Sequence, residues 1–287
     1  MKVWWMRRWA LLLGTCSLAV LFTACSFNAA APTPIPPTAP PSVTLTASGS
    51  GSVTSILANL KASFEADNPG YVLNTISGTG TGGGVQGVLD GILDVAAMAR
   101  APRDSESDAG LQYLRFGDTA VTIMVHPDVG VTNLSSDQVR AIFLGEVTNW
   151  SQVGGQDSVI SIYVRDEEES STIALRQTLF GDTPFPETVA GVLASAGDMI
   201  STIAKTPGAV GFGNWVVTVA SDQVIKTLTL DGISPDEDAY PVVTALGIGY
   251  IDSRSEAIQP LLDWLLSERG QVALVELGLI NLPDSAG

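Results

Sequence analysis

The chain has 287 residues, 45% of them hydrophobic and 15% charged, enough apolar side chain for one large or two ordinary domains and not a disordered composition. Its formal net charge of −16 argues against nucleic acid and anionic lipid surfaces as partners. Both cysteines, Cys16 and Cys25, lie near the N-terminus, so the rest of the chain has no means to form a disulfide, a thiolate metal site or a thiol nucleophile.

Met1 to Arg8 carries Lys2, Arg7 and Arg8, and the apolar run WALLLGTCSLAVLF follows. A basic start and an apolar run shorter than the ~18 residues of a membrane span read as an export signal, expected over 1–24. Thr23-Ala24-Cys25 closes the run as LFTAC, which resembles a bacterial lipobox with Cys25 as the lipid-modified first residue; an ordinary cleaved secretory signal is the plainer alternative. Loss of the three basic residues deepens the net charge by three units. From 25 to 42 the prolines of NAAAPTPIPPTAPPS favour extended polyproline II at about 3 Å per residue, a stiff tether.

The body opens with a short strand, Val43–Ala47, and the turn SGSGS. Val53, Ile56, Leu57, Leu60 and Phe64 then recur at helical spacing until Asn68-Pro69-Gly70. YVLNTI, the turn SGTGTGGG (Ser77–Gly84), a helix to about Gly91 and the strand LDVAAMA complete a βαβαβ run, which implies a parallel sheet covered on both faces. After a polar loop, Arg103–Gly110, come the strand TAVTIMVHP, a helix LSSDQVRAIF opened by a capping box from Ser135 to Gln138, and a turn-rich connection VTNWSQVGGQDS. The strand VISIYVR, a helix TIALRQTLFG, a helix over Ala196–Lys205, the turn TPGAVGFG and a strand WVVTVA follow. VVTALGIGYI is a late strand, SEAIQPLLDWLLS a helix, and Gly270 a break before VALVELG. The order of units predicts two lobes, 43–120 plus 247–287 and 121–246, with the chain crossing between them at Thr119–Val125 and near Val242–Gly249.

Three donor-rich stretches each open a helix: SGSGSVTS (Ser48–Ser55), SGTGTGGG, and RDEEESST (Arg165–Thr172). Backbone N–H groups and hydroxyls at a positive helix end suit an anion. Ser50 and Ser52 offer hydroxyls and Gly51 an open N–H, although simple N-capping by one serine accounts for the pattern as well. Gly78-x-Gly80-x-x-Gly83 is a formal dinucleotide match, but Thr79 and Thr81 crowd the backbone approach that a pyrophosphate needs, and no Gly-Lys-Ser/Thr follows for a P-loop. Arg165 ends an apolar strand and needs a partner there, either a bidentate oxyanion or one of Asp166–Glu169. His126, the single histidine, precedes Pro127 on a strand and supports neither a metal cluster nor a Ser-His triad, and no G-x-S-x-G is present. These observations favour binding over hydrolysis.

On GSGSV (Gly49–Val53), SGTGTGGGVQGVLDGILDVAAMAR, LSSDQVRAIFLGEVTNWSQVGG (Leu134–Gly155), RDEEESST, KTPGAVGFG (Lys205–Gly213) and LLDWLLSERGQ, the chain resembles the phosphate-binding lipoproteins of ABC-type phosphate importers, within the periplasmic-binding-protein superfamily. The resemblance covers nearly all of Val43–Pro283. It implies an α/β, type II two-lobed fold, each lobe a mixed sheet flanked by helices, joined by two hinge crossings. It also implies a monomer anchored at Cys25 outside the cytoplasm, without cofactor or metal, that closes on inorganic phosphate and presents it to a membrane permease. Residue by residue it implies Ser50, Gly51 and Ser52 as the first binding loop, Gly80 and Thr81 in the second, and Arg165 with Ser170, Ser171 and Thr172 in the third. Sulfate, molybdate or tungstate as the anion, and a surface sensor or scaffold without a transport role, are the alternatives. The chain departs from the family in having Ser-Ser-Thr for Ser-Gly-Thr, an interval from the arginine longer by one residue, Glu169 for a glycine, and Met98-Ala99 where an acceptor is usual. A carboxylate acceptor binds the proton that phosphate carries and repels fully ionised sulfate, and Glu169 is the expected replacement for it.

Overall fold

The computed structural model describes residues 42–76 and 78–284. The expected export signal, the lipid site Cys25, the tether up to residue 41, and Ser77 lie outside the described residues. No helix among the described residues is long and apolar enough to cross a membrane.

The first half of the chain alternates β1 (Val43–Gly49), α1 (Gly51–Asp67), β2 (Tyr71–Ile76), α2 (Gly80–Leu89), β3 (Val95–Met98) and the single turn α3 (Asp104–Asp108). Strand β4 (Leu111–Val125) is followed by β5 (Asn133–Leu134), α4 (Ser136–Phe143), β6 (Ser161–Arg165), α5 (Ser170–Leu175), β7 (Gly191–Leu193), α6 (Ala196–Lys205) and β8 (Ala209–Asn214). The remainder is α7 (Trp215–Val219), β9 (Lys226–Thr227), β10 (Thr229–Leu230), β11 (Val243–Ile251), α8 (Ser255–Leu266) and α9 (Glu268–Glu276). A nine-stranded sheet has the order β2-β1-β3-β11-β4-β8-β6-β7, with β9 beside β4. The two ends are parallel, β2-β1-β3 and β8-β6-β7, and the centre built on β11 and β4 is antiparallel. The expected parallel units are thus the wings of a mixed sheet: β3 and β8 are buried throughout, while the outermost strands β2 and β7 are partly exposed.

Two separate cores form on this sheet. One gathers Leu45, Leu57, Phe64, Leu73 and Ile248 with Leu261 and Trp264 of α8; Phe64 meets Trp264 edge to face at 6.0 Å. The other gathers Ile123, Phe143, Trp150, Phe180 and Phe212, with Phe143 ring centroids 5.5 and 5.4 Å from Phe180 and Phe212. Smaller apolar clusters cover the opposite faces, under α2 in the first half and under α6 in the second. The motif around Asn149-Trp150 is structural: Trp150 is fully buried and its Nε1 donates to Gly208 O at 2.9 Å. The Ser135–Gln138 capping box forms in both directions, at 3.1 and 2.9 Å.

Strands β4 and β11 carry the chain between the cores. On β4, Phe116 belongs to the first core and Ala120 to the second; on β11, Val243 packs against the second core and Leu246 belongs to the first. The β4–β11 register shifts between Leu246 and Gly247, a bulge that bends the pair where the cores part. Along β4 the change from one core to the other falls between Phe116 and Ala120, on a strand that begins at Leu111.

Three local expectations are corrected. TPGAVGFG contains strand β8, fully buried, and its Gly211 lets the α6 side chains Met199 and Ile203 pack directly on the backbone. WVVTVA is helix α7, not a strand: its β-branched residues suggest extension, but helical geometry sends Trp215 toward the second core and Val216 into the first, a wedge between the halves. The break near the C-terminus is at Ser267, whose hydroxyl caps α9 by accepting from Gly270 N at 3.1 Å, so Gly270 lies inside the helix.

Candidate functional site

A cavity of about 660 Å³ lies where α1, α2, α5 and α6 begin. Ser50, Gly51, Ser52, Gly80, Thr81, Arg165, Glu169, Ser170 and Ser171 all line it. Thr172 does not; it is fully buried behind its neighbours, and its hydroxyl has no partner among the described residues.

The first wall is the β1–α1 junction. Ser50 stands at the N-cap of α1, yet its side chain makes no capping bond. Thr54 takes over the fastening of that turn, its hydroxyl donating to Ser50 O at 2.9 Å and Gly51 O at 3.1 Å. The Ser50 hydroxyl and the unpaired N–H groups of the first helical turn are left for the cavity. Capping, the plain sequence reading of this serine, is not its role.

The second wall is the glycine-rich turn. Ser48 Oγ donates to Ile76 O at 2.7 Å and so accepts from Thr79 Oγ1 at 2.9 Å, which ties the turn to β1. Thr81 Oγ1 accepts from Ala99 N at 3.2 Å, leaving its own proton free. Gly84 sets the close approach of α2 to β1, since a Cβ there would lie 2.5 Å from Ser48 O and 2.8 Å from Gly49 Cα.

The third wall is β6–α5. Arg165 is 6% exposed at the strand end. Its Nη2 lies 2.8 Å from Glu169 Oε1 and donates to Ala194 O at 3.3 Å, while its Nε is buried without a partner among the described residues. Of the two partners open to Arg165 at the sequence level, the acidic loop supplies one, Glu169, but it leaves the guanidinium incompletely satisfied. Glu169 is the N-cap of α5 and makes no side-chain capping bond. The helices α1, α2 and α5 thus start at the cavity without a side-chain cap, whereas α6, which also starts there, is capped by Ser195, and Ser135 and Ser267, away from it, cap α4 and α9.

Several lining residues escaped the sequence reading. Ser195 caps α6 at the cavity edge, accepting from Asp198 N at 3.0 Å. Arg100, like Arg165, ends an apolar strand, and that signal was available; Glu106 holds it through two bonds of 2.7 and 2.8 Å. This guanidinium keeps the Glu106 carboxyl below its usual range. Arg103 meets Glu168 at 3.5 Å on the exposed rim. Asn214, from the end of β8, carries no motif at all, yet its Nδ2 donates to Ser52 Oγ at 2.7 Å. Each arginine lining the cavity has a carboxylate partner, and Arg165 alone among them also has a buried, unpartnered N–H. Among the described residues no histidine or lysine lines the cavity beside its hydroxyls, and its equipment is that of a donor-lined anion receptacle.

A family model described as a PBP superfamily domain matches residues 35–269. The phosphate-binding protein PstS of Bacillus subtilis is 27% identical over 253 residues, 84% of this chain and 81% of its own length. Among solved structures, an ABC-type phosphate transport receptor from Vibrio cholerae is 26% identical with a TM-score of 0.65, over 83% of this chain and all of its own. A substrate-binding protein of Clostridium perfringens, provisionally assigned to a phosphate ABC transporter and holding bound phosphate, superposes with a TM-score of 0.75 at 20% identity, over 84% of this chain and all of its own.

Proposed function

Because the chain belongs to the PBP superfamily, we propose that it captures inorganic phosphate between its two halves, outside the cytoplasm, and delivers it to an ABC importer. The observation that supports the reading is Arg165, whose buried Nε has no partner among the described residues, in the lining of a cavity at which three helices start without a side-chain cap. An unmet buried N–H costs about 1–3 kcal/mol, and more on a charged group, so the site is built for an acceptor that satisfies it. Each hydrogen bond donated to the anion is worth about 1.5–3 kcal/mol, and a few of them, less the costs of ordering and desolvation, reach the roughly −8 kcal/mol of a micromolar complex. The names of the Bacillus and Vibrio relatives point the same way.

In this proposal Ser50, Gly51, Ser52, Gly80 and Thr81 hold the anion from the first half, and Arg165, Ser170 and Ser171 from the second, with Thr172 supporting the last two from behind. Glu169 accepts the proton that phosphate retains near neutral pH. Ala99 offers no carboxylate, so a site without that service from Glu169 would accept sulfate, molybdate or tungstate as readily. The lobes are 43–120 plus 247–287 and 121–246, hinged on β4 and β11. Export by residues 1–24, a lipid at Cys25 and action as a monomer complete the reading. Isothermal titration of the purified body with phosphate, sulfate, molybdate and tungstate tests it: phosphate is expected to bind at micromolar concentration or better, and heat with none of the four would overturn it. Loss of phosphate uptake on deletion separates import from a sensing or scaffolding role.

A further inference from the structure

Asn214 is the N-cap of α7, the position where an asparagine ordinarily bonds its own helix. It makes no such bond. Its side chain, 5% exposed, instead reaches the start of α1, where Nδ2 donates to Ser52 Oγ at 2.7 Å. The amide is oriented by Thr244 of β11, whose hydroxyl donates to Asn214 Oδ1 at 3.5 Å, and the Asn214 backbone carbonyl accepts from Thr218 Oγ1 at 3.1 Å. A hydroxyl has one proton. With Asn214 supplying a donor to Ser52 Oγ, the Ser52 proton points away from Asn214, and Ser52 lines the cavity.

We infer that Asn214 is a positioning residue for the anion: it turns Ser52 into a donor toward the cavity, through a bond that joins one half of the molecule to the other. This rests on the phosphate reading above. Ser52 lies in the first half and Asn214 ends a strand of the second, so the orienting bond and the anion draw on the same approach of the two halves.

The test is a cycle on the purified chain, titrated with inorganic phosphate: parent, Asn214→Ala, Ser52→Ala and the double variant, with Asn214→Asp as an isosteric fifth. Asn214→Ala is expected to weaken phosphate binding about tenfold, and to change affinity less than twofold when Ser52 is already alanine. Asn214→Asp keeps the shape but accepts the Ser52 proton, so it weakens binding more than alanine near neutral pH. As pH falls into the carboxylate range the protonated acid becomes a donor, and the variant-to-parent affinity ratio recovers. In a Ser52→Ala background, where the other charged groups lining the cavity (Arg100, Arg103, Arg165, Asp166, Glu168 and Glu169) are unchanged, only the relief of like-charge repulsion remains, so the recovery there is smaller, and the difference between the two backgrounds reads the Ser52 hydroxyl. A merely structural asparagine gives no coupling, and a recovery of equal size in both backgrounds. A parent that binds phosphate while Asn214→Ala stays within twofold of it, or an equal loss in both backgrounds, overturns the inference and leaves the phosphate reading standing. A parent that binds no phosphate overturns the reading and the inference with it. If Asn214→Ala fails to fold, the pH series on Asn214→Asp compared between the Ser52 and Ser52→Ala backgrounds decides: equal recovery in both overturns the inference.

Discussion

Arg165 Nη2 and Glu169 Oε1 stand 2.8 Å apart, a cation fixed at a strand end and a carboxylate at the first position before α5. Arg165 is buried whereas Glu169 is partly exposed, so the arginine is the fixed member of the pair and the glutamate the one with room to turn. An arriving oxyanion meets a guanidinium already shared with an acid.

Arg165→Gln removes the charge and the fork from the cavity wall. Phosphate affinity is expected to fall roughly 10- to 150-fold, the equivalent of about 1.5–3 kcal/mol, in isothermal titration. Affinity within twofold of the parent would remove Arg165 from the binding set.

Glu169→Gln keeps the size of the side chain, removes its negative charge and exchanges one of its two acceptor oxygens for an N–H donor. The preference for phosphate over sulfate should shrink by about tenfold or more, chiefly because sulfate gains once the like charge is gone. Competition titrations of the two anions measure it. An unchanged ratio means that Glu169 does not read the proton.

Gly84→Ala drives a Cβ to 2.5 Å from Ser48 O and pushes α2 off β1. A loss of about 1–3 kcal/mol in urea unfolding is expected. Phosphate affinity falls as well, because the shift moves Gly80 and Thr81 away from Ser50. Normal affinity in the folded variant would show that the glycine-rich turn does not touch the ligand.

Glu106 is held below its ordinary value of 4.5 chiefly by its bonds to Arg100, against the opposing effect of burial. A carboxyl with a lowered folded pKa stabilises the fold fully above that ordinary value, and the contribution drains as pH falls through the lowered one. The parent should therefore lose stability on acidification below about 4.5 more steeply than Glu106→Gln, as followed by thermal unfolding at stepped pH. Parallel curves would mean that the pair contributes nothing to acid sensitivity.

Much of the fold was legible because its signals are local. The stripe Val53, Ile56, Leu57, Leu60, Phe64 makes α1, the all-apolar run of β3 marks a strand buried on both faces, and Ser135 with Gln138 announces α4. The elements misread are those where tertiary packing overrides propensity: α7, whose valines suggest extension, and β8, whose glycines suggest a turn until Met199 and Ile203 are seen packed on them. Hydroxyls and glycines at helix starts flagged Ser50, Gly51, Ser52, Thr81, Ser170 and Ser171, since the motif itself positions the donors. Arg100 carried the same signal as Arg165, an arginine ending an apolar strand. Asn214 carried none, because its meaning lies in a partner 162 positions away.

The amino-acid order alone determined the strand and helix rhythm, the acidic character, and the three donor-rich helix starts, all of which depend on neighbours within a few residues. Only the folded chain decided that Ser50 does not cap its helix, that Glu169 is the acid Arg165 keeps, and that Asn214 sets the direction of the Ser52 hydroxyl. Each of those outcomes turns on which group reaches a given donor or acceptor first in space, and a hydroxyl or carboxylate surrounded by several candidates is assigned by distance and burial, not by sequence interval.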